Sequence, residues 1–164
     1  MKIVIVEHPR PVTPEHYNDV ANAPLSASLS SGYGLAVARD AGWDTVHCDF
    51  SGCAADAAVI AATILAAAGD IILFHWVYSW GNEGMVRAIL QLLTQARGGR
   101  IGAFGLFPTL AHDRLASYAP ELDFIIVGEF EETLRELLDS FPHAGSADPI
   151  PGLYRAGQPF TPRG

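Results

Sequence analysis

With 164 residues, of which 49% are hydrophobic, the chain is long enough to bury the core of one domain without disulfide or metal cross-links. Its net charge of −8 and its lack of a basic run argue against nucleic acid or an anionic membrane surface as a partner. No apolar stretch reaches the roughly 18 residues of a membrane span, and the N-terminus lacks the basic region of a signal peptide. Two cysteines are too few for a disulfide framework, so we expect a cytoplasmic protein.

Five strand-helix units follow one another along the chain. Short apolar, β-branched runs such as KIVIV are typical of strands buried on both faces of a parallel sheet. We predict strands in KIVIV, DTVHCDF, DIILFHWV, RIGAFG and LDFIIVG. They alternate with predicted helices over Leu25 to Ala41, Ala54 to Ala68, Gly81 to Arg97, Ala111 to Tyr118 and Glu129 to Asp139. Right-handed crossovers then give an α/β fold, a Rossmann-like, doubly wound parallel sheet of the flavodoxin type.

The end of the chain differs from this repeat. Residues 1–145 are predicted to form the Rossmann-like domain, and residues 146–164 a short tail or linker. The tail reads as a hairpin with Gly157 in its turn.

Ligands of such sheets bind beyond the carboxyl ends of the strands, and the residues predicted there are unusual. The loop after the first strand is much longer than most βα connections, although it could simply be a solvated excursion. The run SLSSGYG is small and hydroxyl-rich, which suits close approach of a ligand or, equally, a serine-rich helix cap. Aromatic residues after the third strand suit a large planar ligand, unless Trp76 packs in the core.

The fourth strand ends in GLFPT, which we interpret as an apolar turn on which a ligand lies, and the fifth in GEFEETL. Candidate ligand contacts in these loops are His8, Pro9, Ser30, Ser31, Gly32, His75, Val77, Tyr78, Ser79, Trp80, Gly105, Leu106, Phe107, Pro108, Thr109, Gly128 and Glu129. No G-x-S-x-G elbow, G-x-G-x-x-G loop or H-E-x-x-H spacing occurs, so no catalytic residue or metal site is predicted. This chemistry favours a binding module over an enzyme.

Several of these segments together resemble one known family. GLFPT followed by a short helix, then ELDFIIVGEFEETLREL and PIPGLYRAGQPFTPRG, resembles the N-terminal cobalamin-binding domain of B12-dependent radical SAM proteins. GYGLAVARDAGWDTVHCDF matches the same family, so the resemblance covers almost the whole chain. It implies cobalamin at the carboxyl edge of the sheet. Gly105 would let the nucleotide tail pass, Phe107 and Pro108 would offer apolar contact, and Thr109 a hydroxyl. On this basis, Gly105→Val should abolish corrinoid retention and leave the fold intact.

Two departures refine what the resemblance implies. D-x-H-x-x-G, whose histidine ligates cobalt in cobalamin domains of the methionine-synthase type, is absent, which implies base-off cobalamin without that ligand. His75 stands where the related family has a serine that bonds the tail base, so we expect it to hydrogen-bond the tail and not to bind cobalt.

C-x3-C-x2-C is absent as well, so a 4Fe–4S cluster and S-adenosylmethionine would belong to a barrel domain outside this sequence, joined in cis or in trans. The resemblance therefore implies that this chain is the cobalamin-binding part of a radical SAM enzyme of the methyltransferase type. The chain by itself would not be catalytic. The alternative is a freestanding binding or interaction domain that has lost cobalamin.

Overall fold

The computed structural model describes residues 1–9, 28–77, 83–141 and 149–163. The strands in these ranges are β1 (Lys2–Glu7), β2 (Asp44–Asp49), β3 (Ile71–His75), β4 (Arg100–Phe104), β5 (Phe124–Ile126) and β6 (Leu153–Tyr154). The helices are α1 (Leu29–Asp40), α2 (Ala57–Ala66), α3 (Glu83–Gln95), α4 (Leu106–Tyr118) and α5 (Phe130–Ser140). The strands form one sheet in the order β2-β1-β3-β4-β5-β6. Strands β1 to β5 pair in parallel, which confirms the predicted doubly wound architecture.

The sheet has one strand more than predicted, because the tail adds β6 antiparallel to β5. The chain does turn back at Gly157, which has a φ of 75°. The two sides of that turn are paired, since the Gly152 amide donates a 2.8 Å hydrogen bond to the Thr161 carbonyl oxygen. The tail is therefore hairpin-like, and its first arm is also the edge strand of the sheet.

Both faces of the sheet are covered by helices. Along each strand successive side chains point to opposite faces, so the apolar runs feed two separate core clusters. One cluster packs against α2, α3 and α4 and includes Val4, Val6, Ile72, Phe74, Ile60 and Leu90. The other packs against α1 and α5 and includes Ile3, Ile5, Leu73, Ala38 and Leu134. This two-sided burial explains why the strands are continuous apolar runs.

The ends of α2 and α3 correct a detail of the sequence interpretation. A glycine follows each of the two predicted helices, which suggests a left-handed glycine at the helix end, yet the residues in the left-handed conformation are Ala68 and Arg97, each with a φ of 51°. The glycines serve a different purpose. A Cβ on Gly69 would lie 2.6 Å from Val4 Cγ2, and one on Gly99 would overlap the backbone of Gly69 and Asp70. Two connecting turns thus pack against each other at the amino edge of the sheet.

Helix α4 begins earlier than predicted. The GLFPT run was interpreted as a turn with the helix starting at Ala111, but Leu106 to Thr109 form the first helical turn. Proline is tolerated there because Pro108 is the third helical residue, whose N–H would have no partner within the helix. The predicted helix start at Ala111 coincides with a kink in α4, where Ala111 has non-helical dihedrals of φ −142° and ψ 33°.

None of the helices in these four ranges combines the length and the apolar character that a bilayer crossing requires.

Candidate functional site

The strand order creates a crevice between β1 and β3. The chain leaves β1 towards β2 on one side, and β3 then pairs with β1 on the other side. In open α/β sheets, ligands bind at the carboxyl ends of the strands where the order switches in this way. Glu7 and His75 are the last residues of β1 and β3, and they are direct partners in the parallel register. The two polar strand ends therefore meet at the switch point.

Glu7 and His75 belong to a buried hydrogen-bonded network. Their exposed fractions are 1% and 5%, and Ser31 is fully buried. Glu7 Oε1 lies 2.8 Å from His75 Nδ1 and accepts a 2.5 Å hydrogen bond from Ser31 Oγ. Ser28 Oγ lies 3.1 Å from the same His75 nitrogen and also accepts from the Ser31 amide, which caps α1. The network thus joins the start of α1 to the ends of β1 and β3. We call it the Glu7–His75 network.

The hydrogen bonds define the two edges of the His75 ring. An ionised carboxylate only accepts, so the bond to Glu7 places the proton on Nδ1. Nε2 is on the far edge, 3.3 Å from the point where a Cβ on Gly105 would be built. Among the residues that the structure describes, none hydrogen-bonds to Nε2. Phe104 packs beside the ring with 4.9 Å between the ring centroids, so the imidazole is held on several sides.

Gly105 has a structural role that the sequence interpretation missed. Its φ is 118°, a conformation that side chains with a Cβ rarely adopt. A Cβ there would lie 2.8 Å from the Trp76 carbonyl oxygen and 3.0 Å from His75 Cδ2. The space beside Gly105 is therefore filled by the protein itself. The expectation that Gly105→Val leaves the fold intact is wrong, because valine would strain the backbone and collide with β3.

Open space lies instead at Gly32 and Gly128. A Cβ on either residue would meet no atom within 4 Å. The Gly128 amide donates to Thr109 Oγ1 at 3.0 Å, and Thr109 Oγ1 donates to the Gly105 carbonyl oxygen at 2.8 Å. The Thr109 hydroxyl is therefore already used to tie the ends of β4 and β5 together. The two open glycines leave room for a ligand to approach the backbone at the carboxyl edge of the sheet.

Exposed apolar side chains flank the crevice. Leu29 and Tyr33 are one turn apart at the start of α1, with exposed fractions of 78% and 59%. Leu106 and Leu110 are one turn apart at the start of α4, with exposed fractions of 46% and 76%. Residues four apart share a helix face, so each pair forms a small apolar surface. Because α1 and α4 cover opposite faces of the sheet and both begin at its carboxyl edge, one such apolar surface lies on each side of that edge; we call these surfaces the apolar rims.

The buried aromatic residues pack within the protein. Trp76 is in the core, beside His8 and Phe107, with ring centroids 5.8 and 5.9 Å apart. The alternative that Trp76 is a core residue is therefore correct. Pro108 is buried as well, and Leu106 is the exposed apolar residue of that turn.

Comparison of the sequence with profiles of known protein families identifies the family. The sequence profile described as the B12 binding domain matches residues 33–138, well over half of the chain. The chain belongs to the B12-binding domain family. The cofactor expected from the sequence, cobalamin, is the ligand of this family. No curated protein matches the sequence.

Two solved structures have the fold of this B12-binding domain over almost its whole length. One is the cobalamin-dependent S-adenosylmethionine radical enzyme OxsB with aqua-cobalamin and S-adenosylmethionine bound. It has a TM-score of 0.74 and 18% identity, and the match covers 99% of this chain and 22% of OxsB. The other is the radical S-adenosylmethionine methyltransferase TsrM from Kitasatospora setae, with cobalamin and a [4Fe-4S] cluster bound. Its TM-score is 0.73 at 17% identity, and the match covers 98% of this chain and 29% of TsrM. The chain thus spans less than a third of either protein.

The predicted site residues of the B12-binding domain that the structure describes lie at one edge of the sheet, in different environments. Ser31, His8 and Pro9 are buried, Ser30, Val77 and Thr109 are partly buried, and Gly32, Gly128 and Glu129 are exposed. Tyr78, Ser79 and Trp80 lie outside the described residues. No group of three or more His, Cys, Asp or Glu side chains suited to a metal ion occurs in the described ranges.

Glu7 and Ser28 were missed by the sequence interpretation. A signal for Glu7 was present, because KIVIVE and IILFH each end an apolar run with one ionisable residue. Aligning the ends of two neighbouring parallel strands would have paired them. No strand pattern could have identified Ser28, because its contact with His75 depends on where α1 begins.

Proposed function

We propose that this B12-binding domain holds cobalamin at the crevice between the carboxyl ends of β1 and β3. The observation that carries the proposal is the Glu7–His75 network at the switch point. Its surroundings fit a corrinoid, because a corrin has broad apolar faces and a rim of amide arms. The apolar rims of α1 and α4 suit the faces, and the open backbone at Gly32 and Gly128 suits the arms.

In this proposal the residues of the chain bind and orient the cofactor. The contacts come from the loops predicted from the sequence, with Leu106, Gly32, Gly128 and Glu129 as the exposed members. His75 hydrogen-bonds the nucleotide tail, which is displaced from cobalt, and no histidine of the chain binds the metal. When bound, cobalt supplies a centre that can carry a methyl group, while the protein supplies binding and position.

We further propose that the domain serves a radical SAM enzyme of the methyltransferase type. OxsB and TsrM are described as enzymes of the radical S-adenosylmethionine class, and TsrM as a methyltransferase. Both are several times longer than the matched region, so the catalytic barrel would be a separate domain in cis or in trans. Residues 1–145 would form the cofactor domain, and residues 146–164 would lead towards that barrel.

Retention of hydroxocobalamin after desalting tests the placement of the site. Gly32→Trp should lose most of the retained corrin absorbance, because the indole would fill open space beside the crevice. Ala66→Trp is the matched control, since Ala66 is exposed on α2 at the opposite edge and should retain cobalamin. Equal retention by both variants would contradict the placement. A wild-type chain that retains no corrinoid would favour the alternative, a domain that has lost cobalamin.

The prediction that no histidine binds cobalt can be tested without a mutation. The cob(II)alamin-loaded protein should give an electron paramagnetic resonance spectrum without nitrogen superhyperfine splitting. Protein prepared with nitrogen-15 histidine supplies the control. A splitting that changes with the label would identify a histidine of the chain as the ligand, with His75 the first to examine. A splitting that ignores the label would show that the tail base stays on cobalt.

A further inference from the structure

We propose that Glu7, acting through His75, makes the site select corrinoids whose tail base donates a hydrogen bond. The inference rests on the proposed function and assigns a role to Glu7, which the sequence interpretation did not include. Glu7 is a positioning residue here, because it touches His75 and is itself almost completely buried.

The first step concerns the side of the ring that the protein occupies. Glu7 Oε1 at 2.8 Å and Ser28 Oγ at 3.1 Å both contact Nδ1. Ser31 Oγ donates to the same Glu7 oxygen, so that oxygen is an acceptor with two donors converging on it. A carboxylate cannot donate in return, and the Nδ1–H tautomer is therefore the one that the network stabilises.

The second step concerns the other edge of the ring. With the proton on Nδ1, neutral imidazole presents a lone pair at Nε2 and can only accept a hydrogen bond. Dimethylbenzimidazole displaced from cobalt offers an acceptor nitrogen, which does not match an acceptor on the protein, so with cobalamin His75 can accept only from a hydroxyl group of the tail. A purine base such as adenine offers an exocyclic amine that donates. The chemistry at Nε2 thus favours a corrinoid with an amine-bearing tail base over cobalamin itself.

The third step explains why this preference can be strong. His75 is 5% exposed, its ring packs against Phe104, and the backbone of Gly105 closes over its Cδ2 edge. The ring cannot turn over without breaking the bond to Glu7. A polar atom that loses water without gaining a partner is costly, so cobalamin should still bind but more weakly than a corrinoid with a matched base.

The experiment compares three corrinoids by absorbance titration: cobalamin, an adenine-tailed corrinoid and cobinamide, which has no nucleotide tail. The adenine-tailed corrinoid should bind about tenfold tighter than cobalamin, as expected for one matched hydrogen bond. In Glu7→Gln this ratio should fall towards one, because an amide can donate to Nδ1 and so permits the other tautomer. Asp139→Asn, which removes one exposed carboxylate on α5, should keep the wild-type ratio.

Each remaining outcome is decisive. Tighter binding of cobalamin would mean that Nε2 carries a proton, and the inference would be overturned while the proposed function stands. Equal binding of all three corrinoids would mean that the tail is not recognised, with the same consequence. Failure to bind any corrinoid would overturn both. If Glu7→Gln does not fold, nitrogen-15 magnetic resonance of the His75 ring in the unmutated protein supplies the test, because a proton on Nε2 in place of Nδ1 would overturn the inference.

Discussion

Gly105 shows how one backbone angle fixes the end of β4. Its φ of 118° and the atoms of β3 leave no room for a Cβ. Gly105→Ala should therefore lower the free energy of unfolding by about 2–3 kcal/mol, from the strained conformation and the contact together. Urea unfolding followed by circular dichroism measures the change. Gly32→Ala is the control, because its Cβ meets nothing and the helix should gain up to about 1 kcal/mol. A similar loss in both variants would contradict the assignment.

The two cysteines should differ in reactivity. Burial raises the pKa of the Cys48 thiol, whereas Cys53 is exposed. Since the thiolate is the reactive form, a raised pKa means less thiolate on Cys48 at neutral pH. Iodoacetamide followed by mass spectrometry should label Cys53 first, and labelling of Cys48 should rise only in more alkaline solution. Cys53→Ser isolates the slower site. Equal rates at neutral pH would show that Cys48 is more accessible than its position in β2 indicates.

For single residues, the sequence predicted which of them meet at the carboxyl edge of the sheet better than it predicted what each residue does. His75, Ser31 and Gly105 were all expected at the ligand edge, and they do converge there. Their roles depend on neighbours far apart in sequence, such as Glu7 at 68 positions from His75. Spacing along a strand does not reveal which side chain will fill the room beside a glycine, so the purpose of Gly105 could not be predicted.

At the scale of the secondary structure elements, α2 and α3 each end in a non-glycine residue with a strained, left-handed backbone conformation. Ala68 adopts a left-handed conformation that glycine adopts at no steric cost. Ala68→Gly should raise the free energy of unfolding by about 0.5–1 kcal/mol, measured by urea or thermal unfolding. Two residues earlier, Ala66→Gly lies within the helix and should lower it by about as much. If both changes have the same sign, the left-handed conformation at Ala68 is not what sets the effect.

The strands and their order followed from the sequence because five apolar runs alternate with helical spacing and crossovers have one hand. The start of α4 did not. Proline and glycine in GLFPT are typical of a turn, and only the helix position of Pro108 makes them compatible with a first helical turn. The extra strand was missed because β6 has only two residues, too short a run for any periodicity to be read.

At the scale of the whole molecule, Arg163 fastens the tail to the domain. Its guanidinium bonds Glu132 Oε2, Thr133 Oγ1 and the Pro151 carbonyl oxygen. Arg163→Met should loosen β6, so the Val127 amide, which donates to the Gly152 carbonyl oxygen, should exchange with deuterium about tenfold faster. Global stability should change little, because the Glu132 side chain is 78% exposed and such ion pairs contribute little.

The amide of Arg100, bonded to the Asp70 carbonyl oxygen at the amino ends of β3 and β4, is the internal control for that exchange experiment. Its rate should stay the same. An equal acceleration at Arg100 would mean that Arg163 stabilises the entire fold and not the tail alone. The division of the chain at residue 145 remains a prediction, and the exchange pattern bears on it directly.

The packing of the glycine turns at the amino edge also has an evolutionary consequence. There, Gly69 and Gly99 touch backbone to backbone, so almost any substitution would push two connections apart. At the carboxyl edge, Gly32 faces open space and a new side chain there costs the fold little, whereas Gly128 faces open space but has a φ of 87°, which favours glycine. Selection for a different ligand can therefore change residues at the carboxyl edge of the sheet while the residues of the glycine turns at the amino edge are retained. Sequence divergence among descendants of this chain should be concentrated at the ligand end, and a library randomised there should yield far more folded variants than one randomised at Gly69 and Gly99.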